Sequence, residues 1–423
     1  MSQQENSVPQ KTGTALAIGS WALYDFANTI FSATCVTLWF PIYLEAISGR
    51  AIDIAKPNVI SMIAAGILLP VAGAVIDRTG RAKPWLFWLT VICCAATALL
   101  SAFGPVKPSI VYLMGLFVIA NFSYQVSLVF YNSLITSVAP PRMVGFVSGL
   151  GVGLGYAGII FSLFVIKVAV EEWGDRYSFM VAALLFFIFA LPLFLFVRER
   201  PVAHPECLRL RTAWEALKRV WQTDRSLKKR KGLLFFFLGN FLVVDALNTA
   251  IVYFGLYIRN IFGYEVTEII PYLIGLYTGA FIWGILQGRG CDRFGSKPVY
   301  LASAGALVAT VVLCSVLTSV FWFFAVLIGV GSFALAGVWT AGRKMLVDLS
   351  PPEELGEFFG LYGMTGRLSA YGTIFFALIA DAVGYRAALL ALLVTSVPGF
   401  VLMCFARKET DDDSSVKVEK NLQ

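Results

Sequence analysis

The sequence predicts an all-α integral membrane protein with twelve transmembrane helices, arranged as two pseudo-symmetric six-helix bundles with both termini in the cytoplasm. Three observations predict this class: an extreme composition, a succession of long apolar segments, and a repeat of the first half in the second. Of the 423 residues, 58% are hydrophobic and only 14% are charged, and the mean hydropathy is +0.77. A soluble domain is on average about 25% charged, so this chain has too few charges to cover a water-exposed surface.

The apolar segments are long enough to cross a bilayer, which takes about 20 mostly apolar residues per helix. Lipid admits only helices and closed barrels, and the alternating pattern of a barrel strand is absent from this sequence. The first segment is too long for the apolar core of a signal peptide, so we expect it to be retained. The predicted spans are 17–46, 58–76, 84–104, 109–138, 143–167, 177–197, 233–260, 268–288, 298–318, 321–347, 355–382 and 386–406.

These spans divide the chain into two bundles, a linker and two tails. The N-terminal bundle is predicted at 17–197 and the C-terminal bundle at 233–406, with a basic linker at 198–232 between them. The tails are 1–16 and 407–423. Of the 33 Lys and Arg residues, 25 lie on the side of both termini and 7 on the opposite side. Because Lys and Arg are enriched in cytoplasmic loops, both tails and the linker are predicted to be cytoplasmic.

The linker 198–232 contains 11 Lys or Arg residues and four acidic residues. Its apolar residues recur at helical spacing between Thr212 and Trp221. This pattern is typical of an amphipathic helix that lies on the anionic lipids of the cytoplasmic leaflet. A solvated linker that only sets the topology explains the same residues. The basic residues elsewhere lie in short loops, so nucleic acid is not an expected partner despite the net charge of +7.

Several kinds of chemistry lack the residues they need. The chain has a single histidine, His204, and its seven cysteines include no C-x-x-C pair, which excludes the usual zinc sites and a disulfide scaffold. No phosphate-binding P-loop is present, and the glycines around Gly149 to Gly155 lie within a predicted span, outside any dinucleotide-binding context. We therefore expect no enzyme, no metal site and no cofactor.

The strongest internal signal is that the second half repeats the first. Three separate motifs recur in the same order, which indicates duplication of a six-helix unit. The matching segments are Gly73-Ala-Val-Ile-Asp77-Arg78-Thr-Gly80-Arg81 with Gly288-Arg-Gly-Cys-Asp292-Arg293-Phe-Gly295-Ser-Lys297, Asp25-Phe-Ala-Asn28 with Asp245-Ala-Leu-Asn248, and Pro140-Pro141 followed by Gly145, Gly149 and Gly155 with Pro351-Pro352 followed by Gly356, Gly360 and Gly366.

The loop after span 2 resembles the G-x-x-x-D-R-x-G-R signature of the major facilitator superfamily, and both halves carry it. Further segments are similar to one branch, the autophagy-related vacuolar amino acid efflux permeases and their bacterial relatives. The resemblance implies the major facilitator fold and a secondary active transporter, a symporter or antiporter, with amino acids as the leading substrate class. It also implies a monomer in a bacterial inner membrane. The segments are Trp21-Ala-Leu-Tyr24-Asp25-Phe-Ala-Asn28, Tyr131-Asn132-Ser-Leu, Ser148-Gly149-Leu-Gly-Val-Gly-Leu-Gly155-Tyr156 and Glu357-Phe-Phe-Gly360-Leu-Tyr362-Gly-Met-Thr-Gly366-Arg367.

The repeated Asp-Arg-x-Gly loops are candidates for a gate on the cytoplasmic side. The resemblance implies that Asp77 addresses span 11 and Asp292 addresses span 5, where a helix N-terminus favours an anion. A tight charged turn without a switching role is the alternative. The candidate gating residues are Gly73, Asp77, Arg78, Gly80, Arg81, Gly288, Asp292, Arg293, Gly295, Lys297 and Arg343.

Ionisable residues within the spans are the candidates for solute and ion binding, because such groups are costly in a membrane unless paired or functional. Asp25 with Asn28 and Asp245 with Asn248 each occupy one helix face. One Asp could bind a coupling H⁺ or Na⁺, and Asp245 is favoured because it lies nearer mid-span. Asp25 could instead be the structural partner of an arginine.

Arg367 lies near the middle of span 11, and its guanidinium requires a carboxylate, either that of a ligand or that of Asp245. Arg343 is predicted to pair with Asp348 or Glu357. A zwitterionic amino acid would place its carboxylate on Arg367 and its ammonium on Asp25 or Asp245. Export of an amphipathic drug or lysolipid is the second hypothesis, and a sensor or scaffold without transport is the third. Further candidate binding residues are Tyr24, Tyr124, Gln125 and Asn132.

Overall fold

The computed structural model describes residues 14–48, 51–102, 110–199, 230–264, 266–368 and 372–408, which are helical almost throughout and contain no β-strand. Most of both predicted tails and residues 200–229 of the linker lie outside these ranges. The predicted amphipathic helix of the linker falls there too, so it stays a prediction.

The N-terminal half contains helices α1 to α6. Helix α1 includes a π-helical stretch, a type of irregularity that is frequent at functional sites. The helices are α1 (Ala15–Ile30, the π-helical Phe31–Trp39 and Phe40–Ser48), α2 (Ala51–Thr79), α3 (Lys83–Leu100), α4 (Ile110–Ser133 and Ile135–Val138), α5 (the 3-10 turn Pro141–Met143 and Val144–Trp173) and α6 (Tyr177–Phe196).

The C-terminal half contains helices α7 to α12, and it repeats the order of the first half. The helices are α7 (Lys231–Phe262), α8 (Val266–Phe294), α9 (Ser296–Val316), α10 (Val320–Val326, the π-helical Leu327–Gly331 and Ser332–Leu349), α11 (the 3-10 turn Pro352–Glu354, then Leu355–Leu368 and Gly372–Val383) and α12 (Tyr385–Ala391 and Leu393–Phe405).

Within the described residues, 11 helices are long and apolar enough to cross a membrane, namely α2 to α12. Helix α1 adds segments of 16, 9 and 9 residues that follow one another without a break. The all-α class and the twelve predicted helices are confirmed.

Several helices extend further than hydropathy predicts, whereas α3 and α9 end a few residues earlier. Helix α5 ends at Trp173 rather than near 167, and α8 ends at Phe294 rather than near 288. In the added turn of α5, Lys167 and Glu171 form an exposed i,i+4 ion pair of 3.6 Å. Hydropathy marks the part of a helix that lipid can cover, whereas backbone hydrogen bonds continue into the polar turn beyond it.

The two halves meet along two equivalent seams. Helix α5 packs against α8, and α2 packs against α11. The prolines at 141 and 352 begin the 3-10 turns that lead into α5 and α11, a position in the first turn of a helix where proline is preferred. We call the end of the bundle that contains these turns the basic end, because the Lys- and Arg-rich loops after α2 and α8 lie there.

Candidate functional site

The α2–α11 seam is closed by a carboxylate at a helix N-terminus. Asp77 accepts hydrogen bonds from the backbone N–H groups of Gly356 and Glu357, both at 2.7 Å. A Cβ added at Gly356 would lie 2.5 Å from the carbonyl oxygen of Gly73, so only glycine lets the two backbones approach this closely. Asp77 therefore lies where the family resemblance implied, at the start of α11.

The α5–α8 seam repeats this arrangement. Asp292 accepts hydrogen bonds from the backbone N–H groups of Gly145 at 2.8 Å and Phe146 at 2.6 Å. A Cβ at Gly288 would lie 2.5 Å from the carbonyl oxygen of Gly145. Two carboxylates thus satisfy backbone donors that the first turns of α5 and α11 leave without intrahelical partners.

The remaining residues of the two loops shape the turns. Gly80 and Gly295 have φ angles of 63° and 92°, which disfavour any residue with a Cβ. Lys297 donates from Nζ to the carbonyl oxygen of Cys404 in α12, at 2.6 Å. The other cations of the predicted gate differ in exposure: Arg78 is half-buried, whereas Arg81 and Arg293 are exposed.

A charged pair crosses from one half to the other near the basic end. Both terminal nitrogens of Arg343 in α10 lie 3.3 Å from Oδ2 of Asp25 in α1. Asn28 donates to the other carboxylate oxygen at 3.1 Å. The guanidinium also lies 5.3 Å from the ring centroid of Trp21 and 5.7 Å from that of Tyr131. Because the two charged groups are buried and the guanidinium lies against aromatic rings, this ion pair helps to hold the N-terminal and C-terminal halves together.

This geometry corrects the prediction for Arg343. The partner expected from the sequence was Asp348 or Glu357, but the structure pairs Arg343 with Asp25 instead. Asp348 accepts from Lys344, one helical turn before it, and from Ser296 Oγ at 2.5 Å. The alternative left open for Asp25, a structural arginine partner, describes the observed contact.

The close approach of Asp25 depends on a glycine that sequence reasoning did not assign to the site. A Cβ at Gly151 in α5 would lie 2.7 Å from Oδ2 of Asp25 and 2.9 Å from the ring of Trp21. The only signal in the sequence was that Gly151 falls within the glycine-rich stretch from Gly149 to Gly155.

Arg367 in α11 takes part in a chain of neutral polar groups. Its Nη2 donates to Oε1 of Gln125 in α4, and its Nη1 donates to the carbonyl oxygen of Gly363 at 3.0 Å. Gln125 donates to Oδ1 of Asn121 at 3.3 Å, and Asn121 donates in turn to Ser61 Oγ in α2 at 2.7 Å. The Nε of Arg367 is buried without a hydrogen-bond partner in the described part of the chain.

No carboxylate among the described residues forms an ion pair with Arg367. Its hydrogen-bond acceptors are an amide and a backbone carbonyl, which satisfy N–H groups but do not neutralise the charge. Of the two partners considered for Arg367, a ligand carboxylate and Asp245, the pairing with Asp245 is not formed in this conformation.

Asp245 is 5% exposed and lies in α7. Its carboxylate accepts a hydrogen bond from the backbone N–H of Gly372 in α11. A Cβ at Gly372 would overlap both carboxylate oxygens. Asn248 lies half-buried one turn further along α7. Within the ranges described, no Lys or Arg forms an ion pair with Asp245.

The remaining candidate binding residues have different surroundings. Tyr24 is fully buried, and its hydroxyl is 2.8 Å from Thr90 Oγ1, so it packs inside the N-terminal half rather than facing the other half. Tyr124 is buried with its ring centroid 5.1 Å from that of Phe31. Asn132 has a buried Oδ1 for which the described residues provide no donor.

Among the described residues of this site, Asp25 and Arg343 neutralise each other. The guanidinium of Arg367 and the carboxylate of Asp245 each lack a counter-ion there. Both seams bring the halves together at the basic end. The geometry therefore provides a closed end, a buried carboxylate and a half-buried guanidinium, and a bound solute or ion could neutralise these two charges.

Comparison with known proteins agrees with this architecture. The chain is 26% identical over 419 residues to the MFS-type transporter YxiO of Bacillus subtilis, covering 94% of this chain and 96% of YxiO. It is 25% identical over 283 residues to autophagy-related protein 22 of Chaetomium globosum, covering 56% of this chain and 41% of that protein. The crystal structure of the human organic anion transporter MFSD10 (TETRAN) superposes with a TM-score of 0.75 at 14% identity, covering 94% of this chain and all of MFSD10.

The family model of the Major Facilitator Superfamily matches residues 26–290 and 269–422, which together span nearly the whole chain. The duplicated seams, the twelve helices and this match lead to one assignment. The chain belongs to the Major Facilitator Superfamily and is a multi-pass membrane transporter, not an enzyme.

Proposed function

We propose that this transporter moves small polar solutes that carry a carboxylate, with zwitterionic amino acids as the leading class, by alternating access coupled to H⁺ or Na⁺. The observation that carries the proposal is that Arg367 has no anionic partner among the described residues. A charge within a membrane span is costly unless it is paired or functional, and the described residues offer the half-buried Arg367 no anion. A ligand carboxylate can bind a guanidinium through two parallel hydrogen bonds.

The ammonium group of such a solute needs an acidic partner. Asp25 already neutralises Arg343, so Asp245 is the better candidate. Its neighbour Gly372 follows Arg367 in α11 by five positions, a stretch of chain that spans at most about 18 Å. Both charges therefore lie at or beside neighbouring positions along α11, and we propose that they contribute to one solute site together with the polar groups of α4.

Coupling to an ion would use the same carboxylate. Asp245 could bind H⁺ or Na⁺ when no ammonium group is present, since it has no described cationic partner.

We infer that the basic end faces the cytoplasm of a bacterium, because 25 of the 33 Lys and Arg residues lie on that side. This conformation would then be closed to the cytoplasm by Asp77 and Asp292, and the transporter would act as a monomer.

The test is thermal unfolding of the purified protein with amino acids, short peptides, organic acids and amphipathic compounds. A ligand that binds only the folded state at 100 times its Kd adds about 2.7 kcal/mol to the free energy of unfolding. We expect amino acids to raise the unfolding temperature of the wild type and of the control Arg259→Lys, which changes an exposed cation, but not of Arg367→Gln. Stabilisation by amphipathic compounds alone would favour the exporter hypothesis instead.

Flux into proteoliposomes tests the coupling. Asp245→Asn is expected to retain exchange of solute but to lose accumulation driven by a pH or Na⁺ gradient. Full gradient-driven accumulation by this variant would remove Asp245 from the coupling mechanism.

A further inference from the structure

We propose that the α5–α8 seam contains a binding site for the phosphate of an anionic phospholipid. The site is an open cleft of about 380 Å³ at the basic end, lined by Met143 and Phe146 from one half and by Arg289, Asp292 and Arg293 from the other. This inference rests on the family fold and not on the identity of the transported solute.

The charges of the cleft favour an anion. Arg289 and Arg293 are both exposed, and neither forms an ion pair with a carboxylate in the described part of the chain. The carboxylate of Asp292 is already engaged by the N–H groups of Gly145 and Phe146. The guanidinium of Arg289 lies 4.6 Å from the ring centroid of Phe146, which holds it over the cleft. Two guanidinium groups therefore remain available for phosphate oxygens.

The helix surface that leads to the cleft identifies the source of the phosphate as a lipid. Ile282 and Leu286 of α8 are each 49% exposed. They precede Arg289 and Arg293 at spacings of four, three and four residues, which places all four on one helix face. This face changes from apolar to cationic at the end of α8, and Phe294 beside it is 67% exposed. An acyl chain along the apolar part would leave its phosphate at the two arginines.

The equivalent seam in the other half lacks these features. In the duplicated motif, Ala74 occupies the position of Arg289 and is 6% exposed. Glu357 occupies the position of Phe146 and adds negative charge at the start of α11. Of the two seams, only the α5–α8 seam therefore has the cation of Arg289 and the aromatic ring of Phe146. Alanine occupies the equivalent position in the other seam, as Ala74, so it is a suitable replacement for Arg289.

Because both halves line the cleft, a bound lipid stabilises the closed seam. Cys291 can be used to measure this closure, because α5 covers it and leaves it 2% exposed. A Cβ built on Gly145 of α5 would lie 2.8 Å from the Cβ of Cys291. Its thiol can react with a maleimide only when α5 and α8 separate.

The experiment uses the full-length protein in a neutral detergent, titrated with dioleoylphosphatidylglycerol, dioleoylphosphatidylcholine or inorganic phosphate. We expect phosphatidylglycerol to raise the unfolding temperature and to slow labelling of Cys291, whereas the other two compounds have little effect. Arg289→Ala, which installs the residue of the equivalent seam, should weaken the apparent affinity for phosphatidylglycerol by on the order of fivefold. Arg293→Gln is the second variant, should the first fold poorly, and Arg259→Gln at the opposite end is the control.

Three results would overturn the proposal. Equal responses to phosphatidylglycerol and phosphatidylcholine would show that the charge of the lipid is irrelevant. An equal response to inorganic phosphate would assign the cleft to a soluble anion. Unchanged affinity and unchanged Cys291 protection in Arg289→Ala and Arg293→Gln would place the anionic lipid elsewhere, for example on the linker 198–232.

Discussion

Replacing Asp25 by Asn is expected to destabilise the protein strongly, because it leaves Arg343 buried without a counter-ion. Both side chains are 11% exposed, and the charged atoms are 3.3 Å apart. At this distance two unit charges attract by ~5 kcal/mol with an effective dielectric constant of about 20. Desolvation offsets much of that attraction, yet removal of one partner from a buried pair costs about 3–5 kcal/mol.

The double variant Asp25→Asn with Arg343→Gln distinguishes this explanation from a general packing defect. With both charges removed, no uncompensated ion remains, so the loss should be smaller than that of Asp25→Asn alone. We expect a coupling energy of about 2 kcal/mol, within the range of roughly 0.5–3 kcal/mol found for contacting residues. The assay is unfolding of the two single variants, the double variant and the wild type in the same detergent.

The exposed Asp381→Asn serves as the control, because its carboxylate lies at the surface of α11 and its loss should have little effect. Additive losses in the cycle, with a coupling energy near zero, would refute the reasoning. The contact between Asp25 and Arg343 would then contribute nothing to the link between the halves.

Three further predictions concern the seams and the interior cation. Gly145→Ala should destabilise the closed seam by about 1–3 kcal/mol and lower transport in proteoliposomes, because the added Cβ would lie 2.6 Å from a backbone oxygen. Gly19→Ala is the control, since a Cβ at Gly19 has no atom within 4 Å. Equal transport by both variants would contradict a role for the close approach of the helices. Asp77→Asn should cost about 1.5–3 kcal/mol, because it weakens two charge-assisted hydrogen bonds; a wild-type unfolding temperature and wild-type transport would disprove this. Gln125→Glu should raise the unfolding temperature without ligand by neutralising Arg367, and should abolish stabilisation by carboxylate solutes; unchanged ligand responses would show that Arg367 does not bind them.

Much of the architecture follows from the sequence because it depends on local properties. Segment length and hydropathy determine which parts of the chain can cross lipid, and the duplicated motifs indicate two equivalent halves. The helices that Asp77 and Asp292 contact were expected from the family resemblance, and the attraction of a helix N-terminus for a carboxylate is the physical reason for these contacts. Helix ends were less accurate, as at Trp173, since hydropathy does not report backbone hydrogen bonds in the polar turns.

The partners of the interior charges could not be derived from the sequence. Arg343 has Asp348 five residues away and Glu357 nearby in the chain, yet its partner is Asp25, 318 positions earlier. That choice depends on how α1 and α10 cross and on the space left by Gly151, neither of which is encoded locally. Sequence alone determined which residues are charged within the membrane. Only the tertiary structure decided which of them are neutralised, because ion pairing requires contact across helices that are distant in the chain.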